Sequence, residues 1–310
     1  MRTEYEKRFT STKIKLLHNL DRLQEIKDGK FRPISIQLAP TDKCNLDCVF
    51  CSVKKREGNE LSFEEVCIAI TELTRMGAKT IEITGGGDPT LYSFINELIE
   101  FSTNLGLKVG LITNGILLNK NISYFLLEKL SWIRISLNSL DYVKELNVNI
   151  PKGPIIGFSY VWNESSDLNK IRKLLEYKER YDASYVRIVP DCRDVKFIEE
   201  YRKEIQPKIQ DKLGSGFFFQ EKDYTPPKRC WIGYLKPFIN SDGYLYRCSA
   251  NPLIELKFNS KFRIGKIEEI KDIWDNIKPF STEHCGECFF KEHNELIEEI
   301  ICKIEHEDFI

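Results

Sequence analysis

Cys44, Cys48 and Cys51 stand in a C-x3-C-x2-C spacing. Three thiolates this close together on one loop can hold three irons of a 4Fe–4S cluster and leave the fourth iron open to a ligand. Zinc is the competing chemistry, but zinc knuckles use paired C-x2-C units with a fourth ligand near by. A second set of thiols comes later in the chain: Cys230, Cys248 and the C-x2-C pair Cys285 and Cys288. Four thiolates suit a closed site, and on spacing alone structural zinc and an iron–sulfur cluster both remain open there.

The bulk properties narrow the setting. The 310-residue chain carries 46 Lys and Arg against 47 Asp and Glu, a formal net charge of -1. That balance supplies no basic field for a nucleic-acid partner. No run of about 18 apolar residues is present to span a bilayer. The first nine residues are polar and charged with no apolar segment behind them, so a signal peptide is not expected and the chain reads as soluble and cytoplasmic. Disulfides do not persist in that compartment, so the ten cysteines must be metal ligands, catalytic thiols or core residues.

The elements that would position these thiols follow from periodicity. Residues 4–29 read as one amphipathic helix, with Ile14, Leu17, Leu20, Leu23 and Ile26 near helical spacing and Gly29 as a stop. Strands are expected at 34–38, 80–84, 108–113, 132–137, 155–161 and 185–189, alternating with helices, the first of them opened by a Ser62-x-x-Glu65 capping box. Such alternation implies parallel crossovers. The fold class is therefore α/β: a partial (β/α)6 TIM-like barrel followed by a small cysteine-rich β-hairpin and helix module, with chemistry gathered at the C-terminal strand ends. Residues 1–33 would be a helix packing on the barrel, 34–205 the barrel and 206–229 a bridge. Residues 230–310 would form the cysteine-rich module, which starts with an Asp-Gly hairpin at 237–246.

The segment Cys44-Asn45-Leu46-Asp47-Cys48-Val49-Phe50-Cys51 resembles the signature of the radical S-adenosylmethionine (SAM) superfamily. That resemblance covers about the first two hundred residues. It implies that SAM binds the open iron and that Phe50 packs near the adenine. Gly85-Gly86-Gly87-Asp88-Pro89, after the second strand, resembles the family's glycine-rich motif, which meets the SAM amino group; Asp88 stands where the family more often has Glu. Asn114 ends the third strand, and Ser136 and Asn138 end the fourth, where family members contact the ribose. Arg134, Ser136 and Asn138 would share one strand face.

The second thiol set resembles the Twitch module, a shortened SPASM domain. The resemblance implies one auxiliary 4Fe–4S cluster on Cys230, Cys248, Cys285 and Cys288, fully ligated by protein. Of the remaining cysteines, Cys67 and Cys302 read as small buried hydrophobes. Cys192, after the sixth strand, is a candidate hydrogen-atom donor, with Arg187 and Asp191 as substrate contacts; an ordinary loop thiol is the bland alternative. Tyr160 and Trp162 can line a pocket or fill the core.

The resemblance implies reductive SAM cleavage and hydrogen abstraction, with electrons from a reductant such as flavodoxin or ferredoxin. Oxidation of a small polar metabolite or sugar is the leading expectation; peptide modification and epimerisation are its rivals. A purely electron-transferring or partner-binding protein would have no use for the glycine turn beside an open iron.

Overall fold

The computed structural model describes residues 4–53, 56–191, 195–210, 212–220, 225–249, 262–283, 285 and 288–306. Strands β1 (Ser35–Leu38), β2 (Thr80–Ile83), β3 (Lys108–Thr113), β4 (Trp132–Ser136), β5 (Ile155–Trp162), β6 (Tyr185–Pro190) and β7 (Phe217–Phe219) run parallel and lie side by side in chain order. The six expected strands form within a residue or two of their expected bounds. The seventh lies inside the segment read as a bridge: Gly216 and the turn before it conceal a run of three phenylalanines, a composition that favours a strand.

Helices cover the outer face of this sheet. The first of them, Phe63–Arg75, carries the expected capping box: Ser62 Oγ accepts from Glu65 N at 3.2 Å, and Glu65 Oε2 accepts from Ser62 N at 2.8 Å. It buries Val66, Ala69, Ile70 and Leu73, the helical stripe that packs on the sheet. The helix Leu168–Arg180 is capped by Asp167, and its Tyr177 meets Phe158 of β5 edge-on at 6.4 Å. Tyr160 and Trp162 share that outward face of β5 and belong to the same buried core. Both are buried in the core.

The N-terminal segment is three helices, not one: Glu4–Phe9, Ile14–Leu17 and Leu20–Lys27. The break falls at Thr10-Ser11-Thr12, where hydroxyls compete with the helix ladder; Thr10 Oγ1 donates to the Glu6 carbonyl at 2.8 Å. The first helix ends against the sheet. Phe9 stacks on Tyr185 at 4.6 Å, and Arg134 donates from Nη2 to the Phe9 carbonyl at 3.1 Å and from Nε to Tyr185 OH at 3.0 Å.

The C-terminal strands extend the sheet past β1. After the short β8 (Arg229–Cys230), β9 (Phe238–Ile239) pairs parallel with β1, β10 (Tyr244–Tyr246) pairs antiparallel with β9, and β11 (Arg263–Lys266) closes that edge. The β9–β10 turn is the Asp-Gly hairpin that the composition implies. Outside this sheet, β12 (Phe280–Ser281) pairs with β8. The last helix, Lys291–Ile301, shares a core with the N-terminal helices through Leu16, Ile26, Phe31 and Ile297.

One half-buried carboxylate ties these regions together. Glu82 on β2 accepts from Gln37 of β1 at 3.0 Å and from Lys236 Nζ at 3.4 Å. Burial pushes its carboxyl up, but Lys236, Arg134 and Arg187 outweigh burial and hold it below the ordinary carboxylate range. Lys15 of the second helix stands in the same field, its ammonium pushed down by burial and by Arg134 and Lys236. A carboxyl depressed on folding contributes stability that is present above its unfolded value and is lost as the pH falls through its folded value. Glu82→Gln is therefore expected to lower the denaturant midpoint at about pH 7, with the gap from wild type closing below about pH 4. A gap of equal size at both ends of that range would show that the charge is not what the cations answer to.

Candidate active site and thiol clusters

The loop bearing Cys44, Cys48 and Cys51 leaves the C-terminal end of β1, and all three side chains are half-buried. A tight turn brings Cys51 N to the Cys48 carbonyl at 2.9 Å. Burial pushes the Cys44 thiol up and raises Cys48 to about 11, and each feels the charge of its neighbours in the trio. Two side chains from outside the motif hold the loop. Arg56 Nη2 donates to Cys51 Sγ at 3.1 Å, and Tyr142 OH accepts from Val49 N at 3.0 Å. Neither was foreseen: position 56 follows no spacing rule, and Tyr142 is 93 residues from Val49.

The glycine turn lies directly beneath this loop. Gly87 N donates to the Thr41 carbonyl at 3.1 Å and Asp88 N to the Lys43 carbonyl at 2.8 Å. A Cβ on Gly87 would fall 1.9 Å from the Lys43 carbonyl oxygen, and one on Gly85 would fall 1.7 Å from the Gly87 oxygen. No side chain fits at either position, so the glycines are required by the approach of one backbone to another. Gly86 completes the turn and Pro89 opens a short 3-10 turn at Pro89–Leu91.

Asp88 is buried, and its carboxylate is fully occupied within the protein. Oδ1 accepts from Thr90 N at 3.0 Å, Thr90 Oγ1 at 2.6 Å and Thr113 Oγ1 at 2.9 Å; Oδ2 accepts from Asn114 N at 2.6 Å and lies 2.9 Å from Thr113 Oγ1. It binds the end of β2 to the end of β3, and the backbone of this turn is what faces the cysteine loop. Asn114 reaches the loop itself, donating from Nδ2 to Asn45 Oδ1 at 2.7 Å.

Ser136 ends β4 half-buried. Asn138 does not continue the alternation, because Leu137–Asp141 forms a 3-10 turn. Its amide instead pairs with the backbone of β5, accepting from Val161 N at 2.7 Å and donating to the Val161 carbonyl at 3.0 Å. Phe50 is half-buried beside Cys51. On β6, Arg187 donates from Nη1 to Gln220 Oε1 at 2.8 Å, and Asp191 N donates to the Trp162 carbonyl at 2.8 Å. Cys192 lies outside the described residues. Cys67 is half-buried on its helix, whereas Cys302 is exposed just past the end of the last helix rather than in the core, because the helix stops one residue before it.

The second thiol set gathers around Cys230, which is buried at the end of β8. Burial pushes its thiol far up, and Cys248, Cys288 and Cys285 each add to that push. Two donors past Cys230, Trp231 N and Ile232 N, bond to Asn294 Oδ1 at 2.7 and 3.0 Å, and Trp231 stacks on Phe31 at 4.6 Å. Cys285 packs on the buried cluster of Ala39, Phe238, Tyr246 and Phe262. Among the described residues no three Cys, His, Asp or Glu side chains already converge to metal-binding distance.

This arrangement, with thiols at the top of β1 over a glycine turn at the top of β2, is what an open-iron cluster and a chelating ligand require. Residues 38–155 match the Radical SAM superfamily. The GTP 3',8-cyclase of Clostridium botulinum is 30% identical over 82% of this chain and 76% of its own length. The PqqA peptide cyclase of Rhodopseudomonas palustris is 21% identical over 84% of this chain and 80% of its own length. Among solved structures, Streptococcus suis SuiB bound to S-adenosylmethionine superposes with a TM-score of 0.60 at 17% identity, over 88% of this chain and 73% of that one. SuiB is also seen bound to its precursor peptide SuiA, with a TM-score of 0.58 at 18% identity over 86% of this chain and 71% of that one.

The chain belongs to the radical SAM superfamily. Its cofactors are accordingly a 4Fe–4S cluster and SAM, and the half-buried thiol trio over a cradle too tight for any Cβ fits them. No helix among the described residues is long and apolar enough to cross a membrane. Gly87→Ala must push the cysteine loop off the turn, and SAM binding is expected to weaken at least about tenfold, or about 1.4 kcal/mol. Equilibrium dialysis of the reconstituted protein reads this directly; unchanged affinity would mean that the two loops separate without cost.

Proposed function

We propose that this radical SAM enzyme abstracts a hydrogen atom from a small polar substrate and completes its oxidation with the second thiol set as electron acceptor. The observation that carries the reading is the pairing of the Cys44–Cys51 loop with the Gly85–Asp88 turn. When bound, a cluster with an open iron supplies the electron that splits SAM into methionine and a 5′-deoxyadenosyl radical.

Around that chemistry each residue has a role. Cys44, Cys48 and Cys51 ligate the open cluster, and the backbone of Gly85, Gly86 and Gly87 receives the SAM amino group. Asp88 and Pro89 hold that turn in place. Phe50 packs against the adenine, with Asn114 and Ser136 near the ribose; Asn138 supports them through β5. Arg187 and Asp191 orient the substrate. Cys230, Cys248, Cys285 and Cys288 ligate an auxiliary 4Fe–4S cluster. If the attacked carbon bears a hydroxyl, loss of one hydrogen atom, one proton and one electron converts it to a carbonyl.

A peptide substrate is the second reading. It is favoured by the similarity to PqqA peptide cyclase over most of both chains. Epimerisation would require Cys192 to return the hydrogen atom, and Cys192→Ala would then abolish turnover.

Metal analysis of anaerobically purified protein tests the assignment of both sites. About eight irons per chain are expected, falling to about four in Cys44→Ala/Cys48→Ala/Cys51→Ala. The wild type should release 5′-deoxyadenosine on addition of SAM and a strong reductant, and the triple variant should not. About four irons with one zinc would remove the electron acceptor and turn the reading to redox-neutral chemistry. Zinc without iron would overturn it.

A further inference from the structure

Arg56 stands apart from the residues that define the cysteine motif, yet it contacts that motif at two points. Nη2 donates to Cys51 Sγ at 3.1 Å, and Nη1 donates to the Leu46 carbonyl at 3.2 Å. One planar fork therefore spans the turn, a geometry that a Lys ammonium cannot reproduce. The side chain is only 17% exposed, and its buried Nε–H has no hydrogen-bond partner among the described residues. The Asp47 carboxylate lies 3.8 Å away but is 87% exposed, so water screens it and little of the Arg56 charge is neutralised.

We propose that Arg56 sets the reduction potential of the cluster held by Cys44, Cys48 and Cys51, as a fixed cationic donor to the Cys51 sulfur. The inference rests on the assignment of this loop to the SAM-binding cluster. Reduction adds one negative charge to that cluster. A cation and an N–H···S bond held at a ligand sulfur favour the reduced state over the oxidised one, and hydrogen bonds to the sulfurs are among the main determinants of such potentials. Because the guanidinium is already bound to Leu46, it does not have to reorganise when the electron arrives. The unpaired Nε–H leaves a further donor on the same side chain. Arg56 is a positioning residue here, acting on the electron through Cys51 and touching no substrate.

The test is a redox titration of the reconstituted protein, followed by the electron paramagnetic resonance signal that changes on adding SAM. That response separates the open cluster from the auxiliary one. Arg56→Gln at wild-type iron content is expected to shift the midpoint to a more negative potential, and Arg56→Lys is expected to fall between the two. An unchanged midpoint in Arg56→Gln at full iron content would overturn the proposal. If Arg56→Gln fails to retain iron, Arg56→Lys decides. Restored iron with a displaced midpoint supports the role, whereas restored iron with the wild-type midpoint overturns it. Iron lost from both variants would make Arg56 a loop clamp only, which also overturns the claim. A wild-type protein with no SAM-responsive signal would instead sink the assignment of the loop itself, a failure distinct from any difference between the variants.

Discussion

The site depends on how closely two backbones approach at the top of β1 and β2. Gly87 carries its N–H to the Thr41 carbonyl, and the Asp88 N–H reaches the Lys43 carbonyl, one residue before Cys44. These contacts leave no room for a Cβ, so the turn and the thiol loop are placed as one unit. The Asp88 carboxylate then fastens that unit to β3 through Thr113 and Asn114. Charged acceptors contribute about 1.5–3 kcal/mol per hydrogen bond, more than neutral ones. The Asp88 side chain therefore acts by holding rigid the backbone of the turn beneath the cysteine loop.

A second constraint works at the opposite side of the strands. Burying Glu82 alone would cost several kcal/mol, and the cations of Lys236, Arg134 and Arg187 offset that cost. These partners come from different parts of the chain: Arg134 and Arg187 from β4 and β6, and Lys236 from the turn before β9. Lys15 brings the N-terminal helices into the same field. Nonpolar residues of similar volume could stabilise such a core equally well, but they would not select one arrangement of three chain segments. The balance of charge restricts how the N-terminal helices and the β9–β11 edge can dock on the parallel strands.

Much of this was legible in the sequence, and the exceptions share a cause. Local patterns read well: the Ser62–Glu65 box, strand β3 and the Asp-Gly hairpin all depend on residues a few positions apart. What the sequence did not reveal are contacts between residues far apart in the chain. Asn138 leaves the β4 alternation because its amide completes the backbone of β5 at Val161. Asp88 meets Thr113 across 25 residues, and Tyr142 meets Val49 across 93. Strand β7 was hidden for another reason: three residues are too few for a period, and the glycine before them reads as loop. The N-terminal helix broke where Thr10 turned its hydroxyl back on the Glu6 carbonyl, a choice that helical spacing of apolar residues does not reveal.

The two thiol sets are also mechanically joined. β9 pairs with β1, and Ala39 N donates to the Ile239 carbonyl at 2.9 Å, five residues before Cys44. Ala39, Phe238, Tyr246 and Phe262 form one buried cluster, and Cys285 packs on it. Burying each large side chain there is worth about 1.5–3 kcal/mol, so separating the second thiol set from β1 would cost several such contacts. Any flexing of the C-terminal segment must therefore carry β1 and its cysteine loop with it. A sheet edge shared by the two thiol sets thus sets the spacing between them without a dedicated linker.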